Sequence, residues 1–73
     1  MDRTSEVYFE YTITTYALPV RETDGAWMGN YIITQGTQEL QRVSVVNHCD
    51  SEAEANEMAM RIAKEHLDQR RQA

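Results

Sequence analysis

The stretch from Ser51 to Gln69 constrains this chain more than any other part of it. Ser51-Glu52-Ala53-Glu54 has the form of a capping box. In such a box the serine hydroxyl accepts from the amide three residues on, and that residue's carboxylate reaches back to the serine amide. Asp50, Glu52 and Glu54 place negative charge at the positive end of the helix dipole, and Arg70 and Arg71 place positive charge at the other. From Ala53 to Gln69 there is no glycine or proline, and Ile62 is the one β-branched residue, so the backbone favours helix throughout. The spacing predicts a helix over 51–70. Ala55, Met58, Ala59, Ile62 and His66 recur at helical intervals and form the stripe expected to meet a core. Asn56, Met60, Ala63 and Leu67 form a flanking row, on which Met60 and Leu67 are expected to reach past the sheet. Glu57 and Arg61 are placed to pair at i,i+4 on the opposite side.

What precedes the helix has strand chemistry. Val7 to Leu18 is rich in β-branched and aromatic residues. Its alternation sets Val7, Phe9, Tyr11 and Ile13 on a core face and Tyr8, Glu10, Thr12 and Thr14 on the other. Tyr16 and Leu18 fall out of phase, which calls for a bulge near Thr15 or for partial cover on both faces. Pro19 cannot donate to a ladder and marks the end of that strand. Arg21 to Gly25 reads as a turn with Asp24-Gly25 at its tip. Trp27 to Gln35 is a second strand, with Trp27, Gly29, Tyr31 and Ile33 on one face. Gly36-Thr37-Gln38 turns the chain into a third strand, Leu40 to Val46. Short connections make the sheet antiparallel, because a parallel return needs a crossover of about a dozen residues. The expected fold is therefore α+β: a three-stranded antiparallel β-meander packed against one C-terminal α-helix. It forms one domain over 1–73, with a frayed arm over 1–6, the sheet over 7–47 and the helix over 51–70.

A core made from 73 residues is small, and domains of this size usually add a disulfide, a metal or a partner subunit. The single cysteine, Cys49, excludes an internal disulfide, and Cys49, His48 and His66 are too few for a structural zinc site. Oligomerisation is the remaining route, and a homodimer, or a complex with another protein, is expected. A formal net charge of -5 disfavours steering toward a phosphate backbone. No apolar run approaches the roughly 18 residues of a membrane span. The polar start, Met1 to Glu6, lacks the apolar region of a secretory signal. With a lone thiol, these features fit the cytoplasm. No cofactor or metal is expected.

His48-Cys49-Asp50 is the one cluster that suggests nucleophilic chemistry, since a helix N-terminus and a histidine can lower a thiol pKa. The surrounding carboxylates oppose this, and neighbours on an extended segment point apart. A small corner-filling cysteine is the plainer reading, and no catalytic residue is assigned. Trp27, Tyr31, Tyr8, Tyr11 and Tyr16 could stack bases on a sheet face, but the strands carry only Arg42 beside them, with Arg21 in the turn. Packing explains these aromatics better. Trp27, Tyr31, Met60 and Leu67 are the interface candidates.

The order of elements, the tryptophan in the middle strand (Trp27) and the helix opening Asp50-Ser51-Glu52-Ala53-Glu54-Ala55 resemble several families of small bacterial β-β-β-α proteins. Over residues 7–68 the pattern is similar to the HicB-type antitoxin domain. That resemblance implies a β-β-β-α fold and, as an alternative to a protein-interaction module, an antitoxin-like or nucleic-acid-associated regulatory role. It carries no site residue onto this chain.

Overall fold

The computed structural model describes residues 3–22 and 24–72, with side chains through Arg70. Met1 and Asp2 of the expected arm, Thr23 of the expected turn and the Arg71 side chain lie outside the described residues. The elements run β1 (Thr4–Tyr8), β2 (Tyr11–Pro19), β3 (Trp27–Gln35), β4 (Gln38–Cys49) and α1 (Glu52–Gln72). The strands form one antiparallel sheet in the order β1-β2-β3-β4, and the helix lies across one face of it. The architecture is α+β with a terminal helix, but the sheet has four strands rather than three. Among the described residues no helix is long and apolar enough to cross a membrane.

The extra strand comes from the run Val7 to Leu18, which is a hairpin and not a single strand. Tyr8 pairs with Tyr11 across a two-residue turn, Phe9-Glu10, and Thr4 to Glu6 of the expected arm pair with Thr15 to Ile13. Phe9 has a φ of 56°, at the turn position that a type II′ hairpin normally gives to glycine. The turn also resets the alternation. Glu6 faces Ile13, so Thr4, Glu6 and Tyr8 share the helix side with Tyr11, Ile13 and Thr15. Val7 and Phe9, expected in the core, are instead 73% and 56% exposed. No bulge interrupts β2. Thr15 and Ala17 are small and buried toward the helix, while Tyr16 and Leu18 are half-buried on the other face. The third expected strand is longer than Leu40 to Val46, because the ladder continues through Trp27–Cys49 beyond an irregularity near Gly29.

The helix begins at the expected cap, with one of the two capping-box bonds made: the Glu54 amide donates to Ser51 Oγ at 3.1 Å. Its buried seam, however, is Ala55, Ala59, Ala63 and Leu67 at strict i,i+4 spacing, with Met58, Ile62 and His66 half-buried beside it. Ala63 and Leu67, placed in the flanking row from the sequence, sit at the centre. The reason lies under the helix. Gly29 of β3 meets it so closely that a methyl at position 29 would collide with the Ala55 carbonyl oxygen and stand 3.1 Å from Ala59 Cβ. Only a small-residue seam tolerates that approach, so the larger side chains splay to the flanks. The main core joins Ile13, Tyr31, Ile33, Val45, Ala59, Ala63 and Leu67, with Tyr8 and Tyr11 packed against it from the hairpin. A second cluster at the other end joins Ala17, Cys49 and Ala55 beneath Trp27 and Met58.

Burial raises the pKa of the Tyr31 phenol above 10.0. The folded state thus holds this proton more tightly than the unfolded chain does. The associated stability is complete below the ordinary tyrosine value and is lost as pH rises through the folded one. The unfolding midpoint in guanidinium chloride is expected to fall as pH rises above 10.0, and Tyr31→Phe should flatten that fall. An equal alkaline loss in the Phe variant would place its cause elsewhere.

Candidate functional site

Two surfaces remain after the helix is seated: the sheet face turned away from it, and a groove between β1 and the helix flank.

The open sheet face is built from the even-numbered residues of β2 and β3, the even-numbered residues of β4 from Arg42 onward with Glu39 beyond the irregularity at Ile33/Thr34, and the odd ones of β1. Tyr16, Asn30 and Ser44 stand in one cross-strand row, Thr14, Ile32 and Arg42 in the next, and Leu18, Met28 and His48 in a third. Asn30 and Ile32, on the central strand, are buried by their neighbours alone. Asn30 is fully engaged: Oδ1 accepts from Ser44 Oγ at 2.7 Å, and Nδ2 donates to the Met28 carbonyl at 3.3 Å. A buried amide satisfied in this way fixes the register of the face and costs little. Charged groups keep to its margins. The Arg3 guanidinium lies 5.0 Å from the Tyr16 ring centroid, and Arg42 pairs with Glu39 at 2.8 Å. The hydrogen bond from Arg42 holds the exposed Glu39 carboxyl below its ordinary range and raises the guanidinium in turn. At the β4 edge, between Ser44 and His48, Val46 is 84% exposed. The face thus has an apolar and aromatic middle, Tyr16, Leu18, Met28 and Ile32, inside a polar and charged rim.

The groove lies on the helix side. Toward the C-terminal end of the helix, β1 is tied down: Glu6 pairs with Lys64, the Tyr8 hydroxyl donates to Asp68 Oδ1 at 2.7 Å, and the Lys64 ammonium sits 5.6 Å from the Tyr8 ring centroid. Toward the N-terminal end the strand and the helix part. They leave a cavity of about 620 Å³ lined by Thr4, Glu6, Thr15, Asn56, Met60 and Lys64 together with Glu52, Ala53, Glu57 and Arg61. Two of its lining residues, Thr15 and Asn56, each carry a buried side-chain oxygen, Oγ1 and Oδ1, without a hydrogen-bond partner. The pairing of Glu57 with Arg61 expected from their spacing is not made; the ion pairs among the described residues are Glu39–Arg42 and Glu6–Lys64.

Of the interface candidates, Tyr31 and Leu67 are consumed in the core of the single chain. Trp27 is half-buried over the second cluster, and Met60 is half-buried in the groove. The four do not share a surface. Comparison with protein-family models, curated proteins and solved structures finds no match.

Cys49 and His48 are parted by the strand that carries them. His48 is exposed on the open face, opposite Met28, while Cys49 is buried on the helix side with its thiol 3.9 Å from Met58 Sδ. A base on one side of a sheet cannot serve a thiol on the other. Among the described residues no group of three or more His, Cys, Asp or Glu is placed to hold a metal ion. Alkylation of Cys49 by iodoacetamide is expected to run on the order of 100-fold slower in the native protein than in denaturant, since it waits on local opening. Fast native labelling would reopen thiol chemistry at this corner.

The phase of Tyr16 and Leu18 already called for cover on both faces of β2, but which residues join them on the open face depends on the hairpin at Phe9-Glu10. Once β1 is recognised, the alternation of Tyr16 and Leu18 with Thr15 and Ala17 is its visible signal.

Proposed function

We propose that this chain is a non-enzymatic protein-interaction module of the cytoplasm that works as a homodimer, two copies packing through their open sheet faces. The observation that carries this reading is the uncovered face itself, with Tyr16, Leu18, Met28 and Ile32 at its middle and Arg3, Glu39 and Arg42 at its rim. Val7 and Val46 stand exposed on this face beside the half-buried Tyr16, Leu18 and Met28; soluble domains rarely leave a large apolar patch uncovered, and tyrosine, methionine and arginine are enriched at interfaces. The molecule measures 38 × 24 × 16 Å. Four strands about 4.8 Å apart and about nine residues long make a face of roughly 500–600 Å², toward the small end of interfaces that hold a dimer. A two-fold arrangement lets the same surface meet itself, and sheets packed face to face interleave their side chains at about 10 Å separation.

Size-exclusion chromatography with light scattering is expected to give twice the chain mass at micromolar concentration. Val46→Lys and Leu18→Lys should each shift the protein to monomer. Val46 is suited to this test because so exposed a side chain contributes little to the fold of one copy. A monomer at millimolar concentration overturns the proposal.

A second reading takes the same face as a nucleic-acid surface, on the strength of Tyr16 with Arg3 over its ring. It requires single-stranded oligonucleotide binding that weakens steeply with salt. The net charge of -5 and the Arg42–Glu39 pair weigh against it.

A further inference from the structure

The groove between β1 and α1 lies on the opposite side of the sheet from the proposed dimer face and carries a separate inference. We propose that it binds a small organic ammonium ion, which donates to Asn56 Oδ1 and Thr15 Oγ1 and lays its apolar body along Met60. Thr15 is wholly buried in β2, yet its hydroxyl has no partner, and the same is true of the Asn56 carbonyl oxygen on the facing helix. Buried oxygens left this way are rare in folded proteins because their lost hydration is not repaid. The contrast inside this molecule is direct: Asn30, the other buried polar side chain, uses both ends of its amide.

The chemistry of the occupant follows from the donors and acceptors present. Asn56 Nδ2 donates to the Glu52 carbonyl at 3.1 Å. Turning the amide over would set oxygen against oxygen, so Oδ1 is fixed as an acceptor facing away from that turn. A ligand must therefore bring N–H or O–H groups. Charge selects the nitrogen. Glu52 and Glu57 stand on the groove with Arg61, while Lys64 is neutralised by Glu6, so the lining has one net negative charge. A cavity of about 620 Å³ has the size of ordinary small-molecule sites. Met60 lies one helical turn beyond Asn56 and lines the same space. Its unbranched thioether is the movable cover that admits the ammonium group to the two oxygens.

The test is an NMR titration of the full chain with n-hexylammonium chloride, with n-hexanol and hexanoate as the isosteric neutral and anionic probes. The ammonium ion should give saturable shifts at Thr15, the Asn56 side-chain amide and the Met60 methyl. Hexanol should bind about tenfold more weakly, and hexanoate not at all. Thr15→Val keeps the shape and removes the hydroxyl. It should hold or raise the thermal midpoint, because a buried orphan is gone, while weakening the ammonium ion about tenfold or more. Asn56→Leu repeats the test from the helix side. Equal affinity of wild type and both variants, no shift at the three residues, or a lowered midpoint in Thr15→Val overturns the proposal; the last result would mean the hydroxyl is already satisfied inside the protein. The titration repeated on Val46→Lys should give the wild-type affinity, so failure of the dimer and failure of the ammonium site are read separately.

Discussion

Gly29→Ala is expected to unfold this protein or bring it close to unfolding. A methyl at position 29 meets the Ala55 carbonyl oxygen, and backbone cannot swing aside as a long side chain can. Either α1 lifts from β3 along its whole N-terminal half, or β3 sinks and breaks its pairing with Ala17. Overpacking of this kind costs about 3 kcal/mol or more, against a net stability of about 5 kcal/mol for a domain this small. The thermal midpoint should fall by roughly 15 °C or more, as followed by circular dichroism. Gly25→Ala is the control. Its φ of 79° strains any side chain, but nothing lies within 4 Å, so the cost should stay near 1 kcal/mol. A wild-type midpoint for Gly29→Ala would mean that the helix does not cross the sheet at this point.

Leu67→Ala should be the next most damaging change. Leu67 is among the largest fully buried side chains and ends the seam that Ala55, Ala59 and Ala63 begin. It supplies the volume that those alanines lack, beside Tyr8 and Tyr11 of the hairpin. Truncation leaves a cavity that the rigid sheet cannot collapse into, with a cost of about 3 kcal/mol in chemical denaturation. Met60→Ala, on the flank of the same helix, should cost about 1 kcal/mol or less, since only part of its side chain leaves water. The reverse order would show that the helix is rotated about its axis relative to the seam described above.

The helix was legible because its start is written in side-chain chemistry: a serine, a glutamate three residues later and acidic neighbours are local facts. The second and third connections were legible for the same reason, through Gly25 and Gly36. The first hairpin was not, because Phe9-Glu10 holds none of the residues that announce a turn, and a phenylalanine at positive φ runs against every local preference. That one omission gave three strands for four and put Val7 and Phe9 on the wrong side. The helix seam was misread by weight: Met58 and Ile62 outweigh alanine in any apolar stripe, but the surface nearest a glycine is taken by the smallest residues. The Ala55, Ala59, Ala63 interval, read together with Gly29 in the middle strand, was the available signal. Nothing in the sequence could mark Thr15 and Asn56 as a pair, since whether a buried oxygen has a partner is a property of the packed chain alone.

The helix that completes the core follows all four strands in the chain. Each strand pairs only with its neighbours in sequence, so the meander can zip up hairpin by hairpin during synthesis. Until Leu67 emerges, that ribbon has no hydrophobic cover on either side. A nascent chain stalled before this residue is a paired sheet that still lacks the apolar cover of its helix face.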